Sequence, residues 1–190
     1  MAMAWVFPGQ GSQYPGMGRE LFRRSAIARE WLAIAEELSR QPLAELARRG
    51  PLADLTRPRV LEPLLTALNG AYVDYLREQG LCPACVAGYS AGEVAALYAA
   101  DVLDRCQALQ VAVLRGDILE RRATALDGGM VALYGVAAAA LERLVNEQRD
   151  SGSVAVGARN GRRHLTVTGA RPAVCLLYTS PSPRDRQKSR

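Results

Sequence analysis

The sequence predicts an α/β protein: an open, mostly parallel sheet carrying a serine on a tight strand-to-helix turn (a nucleophile elbow), followed by a small α+β subdomain. Three observations predict it. Residues 84–87 form an apolar run that enters Gly88-Tyr89-Ser90-Ala91-Gly92-Glu93 and then the small-residue run Val94-Ala95-Ala96-Leu97, which reads as strand, turn and helix. Residues 2–7 form an apolar strand followed by the glycine-punctuated loop Pro8-Gly9-Gln10-Gly11-Ser12-Gln13, the kind of segment that lines crevices at the carboxyl ends of strands. After Gly128-Gly129 the pattern becomes strand, helix, strand, strand, a compact α+β unit.

Taken in order, the 8–13 loop by itself reads most simply as a connector. From 17 to 49, Leu21, Phe22, Ile27, Trp31, Leu32, Ile34, Ala35 and Leu38 fall mostly at helical spacings with charges between them, predicting covering helices interrupted near Gln41-Pro42. Pro51 and Pro58 mark further breaks. Residues 60–79 resume as a long helix, with Pro63 expected in its first turn and Gly80 ending it. Asp104 is expected to cap a helix running to about Thr124. Arg115 lies there among Val111, Val113, Leu114 and Ile118; alone, it is either snorkelling from a buried helix, the simpler account, or placed to grip an anion. Strands over 130–135, 153–158 and 164–168 and a helix over 136–148 form the subdomain, with a boundary near Leu126. The domain plan is therefore a large α/β core over 1–126, a small unit over 127–174 and a tail over 175–190.

Composition narrows the function classes. The chain has 190 residues, 49% of them hydrophobic, enough for a real core. Its formal charge is +5, but residues 175–190 hold four of the 24 Lys and Arg and one of the 19 Asp and Glu, so the body carries only +2. Within the body arginines alternate with acids, as in Arg19-Glu20 and Arg29-Glu30, the pattern of a solvated helix face rather than of a nucleic-acid surface. No apolar run approaches the ~18 residues of a membrane helix, and the start up to Phe7 is too short and uncharged for a signal peptide. A cytoplasmic protein with neither nucleic-acid nor membrane partners is expected.

Ser90 is the candidate nucleophile, because a serine at the apex of such a turn projects its hydroxyl while the following helix aims free N–H groups at any oxyanion formed there. Cys82-Pro83-Ala84-Cys85 has the spacing of a redox or zinc pair. It opens a strand rather than a helix, however, and no second pair follows, so buried thiols are expected. His164, the single histidine, is expected to be an exposed strand-edge residue.

Together these residues resemble the malonyl-CoA:acyl carrier protein transacylases and the acyltransferase domains of polyketide synthases, over residues 4–174. Phe7-Pro8-Gly9-Gln10-Gly11-Ser12-Gln13 with Gly16-Met17-Gly18 matches the family's N-terminal loop, and Gly88-Tyr89-Ser90-Ala91-Gly92-Glu93 its nucleophile motif. Arg115-Gly116 matches its acid-binding helix, and Gly129-Met130-Val131-Ala132 the entry to its ferredoxin-like subdomain. The resemblance implies an α/β-hydrolase-like core and an acyl transfer in fatty-acid or polyketide biosynthesis. Ser90 would take a malonyl group from malonyl-CoA and pass it to the phosphopantetheine thiol of acyl carrier protein. The backbone N–H groups of Gln10 and Ala91 would hold the oxyanion, each worth ~3 kcal/mol, and Arg115 would clamp the malonyl carboxylate. No metal or cofactor is implied, and the protein would act as a monomer or as part of a multienzyme.

Two positions depart from the family pattern. Tyr89 stands where a histidine usually precedes the nucleophile, which points also to the acyltransferase subunits of malonate decarboxylases, and Glu62 stands where a glutamine is common. The family's catalytic histidine lies beyond the small subdomain, and His164 matches a different segment. Residues 175–190 resemble a translated sequencing adapter and lose apolar periodicity after Val174, so they are expected to be a non-native, disordered tail. Low activity is expected of residues 1–190 by themselves. A serine hydrolase or thioesterase shares the turn but gives no reason for the Gln10 loop or Arg115.

Overall fold

The computed structural model describes residues 2–125, 127–147 and 154–179. Contacts divide the chain into two compact units, Met1–Arg121 and Arg122–Arg190. The expected boundary at Leu126, the helix end at Gln148, the strand start at Ser153 and the tail beyond Thr179 fall outside the described residues.

The first unit begins with β1 (Ala4–Phe7), then α1 (Arg19–Arg24), α2 (Ala26–Ser39), α3 (Leu43–Arg49), α4 (Leu52–Leu55), α5 (Pro58–Glu78), β2 (Cys85–Gly88) and α6 (Gly92–Ala99), and ends within α7 (Arg105–Ala125). Helix α2 starts because the Ser25 side chain accepts from the Ala28 N–H at 3.2 Å, and it stops at Arg40, whose left-handed backbone turns the chain. Helix α5 is the central element, with thirteen buried residues from Val60 to Val73. Its first-turn proline is Pro58, not Pro63 as expected; Pro63 lies further inside the helix, so the start moves back two residues. Trp31 of α2, fully buried, packs against Gly70 of α5, where a methyl group would come within 2.4 Å of the indole. Helix α7 opens on a reciprocal cap in which Asp104 accepts from the Gln107 N–H at 2.8 Å and Gln107 accepts from the Asp104 N–H at 3.0 Å.

Strands β1 and β2 pair in parallel, Ala4 with Cys85 through Phe7 with Gly88. Trp5 and Phe7 turn inward onto Val73, Ala95 and Ala99, while Val6 between them is 73% exposed, as the two-residue period of a strand requires. Among the described residues this parallel sheet has two strands. Cys82 and Cys85 are both exposed, correcting the expectation of buried thiols: β2 turns Cys85 to its outer face, and Cys82 lies in the link before it.

The second unit contains β3 (Gly128–Tyr134), α8 (Ala138–Glu147), β4 (Val154–Gly161), β5 (His164–Ala170) and α9 (Arg171–Thr179). The sheet is antiparallel in the order β3-β5-β4, and Leu141 and Val145 of α8 bury against Leu165 and Val167 of β5. His164 is accordingly not at a sheet edge. It opens the central strand, half-buried, with its ring stacked on Tyr134 at 4.1 Å. Helix α9 carries the backbone on to Thr179, so residues 175–179 are helical rather than part of a disordered tail. Ala173 and Val174 are buried and anchor the helix.

Candidate active site

The site forms where β2 gives way to α6. Tyr89 extends the β1–β2 ladder by one bond, donating its N–H to the Phe7 carbonyl at 3.0 Å. The chain then reverses at Ser90, whose φ is 53°. Arg40 and Asp101 are the other described non-glycine residues with positive φ, and both follow the C-terminal end of a helix, where such backbone is common. Ser90 instead stands at the entry to a helix, in a conformation that costs ~1 kcal/mol or more for a residue with a Cβ. Two bonds hold it there: the Gly92 N–H donates to the Tyr89 carbonyl at 2.9 Å and the Glu93 N–H to the Ser90 carbonyl at 3.0 Å. Gly92 permits the close fit, since a methyl group on it would lie 2.2 Å from the Phe7 carbonyl oxygen.

The Gln10 loop packs directly on this turn. A Cβ on Gly9 would fall 2.2 Å from the Tyr89 carbonyl oxygen and 3.2 Å from the Ser90 Cβ. The loop holds itself in shape: Ser12 donates to the Gly9 carbonyl from both its N–H (3.3 Å) and its hydroxyl (2.8 Å), and the Gln13 carboxamide accepts from the Gly11 N–H at 2.7 Å. Gln10 itself is exposed, whereas Ala91, directly after the serine, is fully buried. Among the described residues neither the Gln10 nor the Ala91 N–H donates to a backbone carbonyl outside the regular elements. The structure thus brings Gln10, Ser90 and Ala91 to one turn.

Arg115 comes from α7, and what it meets was not foreseen in the sequence. Its Nε donates to Glu62 of α5 at 3.1 Å, and its terminal nitrogen approaches Glu93 of α6 at 3.9 Å, beyond hydrogen-bond reach. Glu93 lies three residues past Ser90, so this approach ties Arg115 to the serine turn. Glu62 is only 4% exposed, while the Arg115 side chain keeps 33% of its surface open. Helix α7 reaches α5 this closely because the residue after Arg115 is Gly116, where a Cβ would lie 2.7 Å from the Pro58 carbonyl. The signal for Glu62 was a carboxylate in the buried run Val60, Leu61, Leu64 and Leu65, a position that demands a partner.

On α5 the polar residues Thr66 and Asn69 continue the face that begins at Glu62, at helical spacing. The Thr66 hydroxyl and the Asn69 amide nitrogen are buried without a hydrogen-bond partner among the described residues. Among those residues no group of three or more His, Cys, Asp or Glu side chains could hold a metal, and no helix is long and apolar enough to cross a membrane.

Residues 4–189 match the family described as the acyl transferase domain. The chain belongs to that family. A malonyl CoA-acyl carrier protein transacylase from Synechocystis is 36% identical over 169 residues, covering 89% of this chain and 55% of the relative. A highly reducing polyketide synthase from Stachybotrys chartarum is 33% identical over 181 residues, covering 92% of this chain and 8% of the synthase. The solved malonyl-CoA:acyl carrier protein transacylase of Xanthomonas oryzae superposes with a TM-score of 0.85 at 34% identity, over 93% of this chain and 58% of that one. The fold is thus the family's α/β acyltransferase fold, and the chain spans a little over half the length of these two transacylases.

Proposed function

We propose that Ser90 is the nucleophile of an acyl transfer that takes a malonyl group from malonyl-CoA and delivers it to the phosphopantetheine thiol of acyl carrier protein, in fatty-acid or polyketide synthesis. The observation that carries this reading is the positive φ of Ser90 at the mouth of α6, with the Gln10 loop packed against it, which supports reading the turn as a nucleophile elbow. The Ser90 Oγ attacks the thioester carbonyl, and the N–H groups of Gln10 and Ala91 receive the developing oxyanion. Collapse of the tetrahedral species breaks the C–S bond, releases coenzyme A and leaves a malonyl-serine ester, which the carrier thiol then cleaves. The terminal nitrogens of Arg115, not engaged by Glu62, receive the malonyl carboxylate. This chemistry uses no metal or cofactor. The Ser90 hydroxyl proton ends on the thiol of the departing coenzyme A, and His164, whose ring is stacked on Tyr134, is not given the task of carrying it. The β3-β5-β4 order, with α8 and α9 following β3 and β5, supports a ferredoxin-like reading of that unit. Cytoplasmic action fits these substrates.

Mass spectrometry of peptides from protein incubated with malonyl-CoA tests the reading. A malonyl adduct should appear on the peptide containing Ser90, be absent from Ser90→Ala and be discharged by holo acyl carrier protein. An adduct lost to water equally fast without the carrier would make the protein a hydrolase, and no adduct at Ser90 would remove the serine from the chemistry.

A further inference from the structure

The Arg115 guanidinium is paired before any substrate arrives. Glu62 holds its Nε at 3.1 Å from a position only 4% exposed, where water screens the pair weakly. The nearest other charge from α6 is Glu93, 3.9 Å away but 61% exposed and therefore screened. On α7 itself the next acid, Asp117, is paired with Arg59 at 2.9 Å. Arg115 and Glu62 together are formally neutral, and the Glu93 carboxylate leans the cluster toward negative. An incoming carboxylate meets hydrogen-bond donors here but little net positive charge. An uncharged acyl group, in turn, leaves no uncompensated cation behind, because Glu62 already compensates it.

We propose that Glu62 sets the acyl selectivity of this site: by neutralising Arg115 in buried surroundings it lowers the advantage of a carboxylated acyl group, so that acetyl-type and malonyl-type thioesters are accommodated with comparable affinity. The inference rests on the acyl-transfer reading above and deepens it. Glu62 acts through Arg115 and touches no reacting atom. A glutamine at this position has nearly the same shape and can accept the same Nε–H, so Glu62→Gln leaves the guanidinium in place and uncovers its charge.

The test is the ratio of two dissociation constants, for malonyl-CoA and acetyl-CoA, measured by titration calorimetry on the full chain and on Glu62→Gln. A ratio cancels any loss of folded protein, which a change in buried packing could cause. The wild-type constants should agree within about threefold, and Glu62→Gln should shift the ratio about tenfold toward malonyl-CoA, the effect of unmasking one charge a few ångströms from the ligand carboxylate. A wild-type preference for malonyl-CoA of a hundredfold overturns the proposal, and so does a ratio that Glu62→Gln leaves unchanged while both thioesters still bind. Failure of acetyl-CoA alone to bind overturns this inference and leaves the acyl-transfer reading standing, whereas failure of malonyl-CoA to bind overturns the acyl-transfer reading and this inference with it.

Discussion

Two arginines on α7 are almost equally open to solvent, at 28% for Arg105 and 33% for Arg115, yet they are used differently. Arg105 is held by two carboxylates. It bonds Asp74 and Glu30, both at 3.0 Å, and lies over the Trp31 ring at 5.2 Å. Asp74, its main partner, also accepts from the Trp31 indole at 2.7 Å and from the Tyr98 hydroxyl, so α2, α5, α6 and α7 meet at one carboxylate. Among the described residues Arg115 forms one hydrogen bond, from Nε to Glu62, and its terminal nitrogens form none. Exposure does not separate the two arginines. Their internal acceptors do: Arg105 has two carboxylate partners within hydrogen-bond distance and Arg115 has one.

Breaking the first node should cost mainly stability. Asp74→Ala strands a buried indole N–H, a hydroxyl and a guanidinium together, and should lower unfolding free energy by about 3 kcal/mol in a urea titration. At the second node geometry matters more than charge. Gly92→Ala forces a methyl group against the Phe7 carbonyl, and should cost about 2 kcal/mol while abolishing Ser90 labelling by malonyl-CoA. The Glu62–Arg115 pair should show a smaller coupling. Arg115→Ala leaves a buried carboxylate uncompensated, and adding Glu62→Gln should recover about 1 kcal/mol of the loss in a double-mutant cycle. The gentlest probe is pH. Burial, the hydrogen bond to Asp74 and the Asp74 charge push the Tyr98 hydroxyl up to about 12. Its protonated form is thus favoured in the folded state. That contribution is full below pH 10 and is lost as pH rises toward 12, so thermal stability should fall across this window, less steeply in Tyr98→Phe.

Local features of the fold were legible in the sequence. The apolar run before Gly88 and the small residues after Glu93 marked the strand-turn-helix, and Asp104 marked the start of α7, because each depends on neighbours within a few positions. Non-local outcomes were not legible. Glu62 and Arg115 are 53 residues apart and meet only because Gly116 lets α7 close on the start of α5. His164 read as an edge residue because strand order in space does not follow strand order in sequence: the last strand, β5, inserts between β3 and β4. Pro58 read as a break and Pro63 as the first-turn proline, whereas residues 58 and 59 pack against Gly116 and Glu120 of α7, a contact that local sequence does not announce. Cys85 read as buried because its pair opens a strand and lacks a second cysteine pair, and which face of that strand is covered depends on the distant partners Trp5 and Phe7.

The parallel pairing of Ala4 with Cys85 has a consequence in time. The strand that carries the Gln10 loop is synthesised roughly eighty residues before the strand that carries Ser90, and closing a loop of that length costs about 4 kcal/mol of chain entropy before any contact repays it. Helices α2 and α5 lie between the two strands and can pack while β1 is still without its neighbour. The serine and the loop that packs on it are therefore expected to meet late, on a helical scaffold already in place.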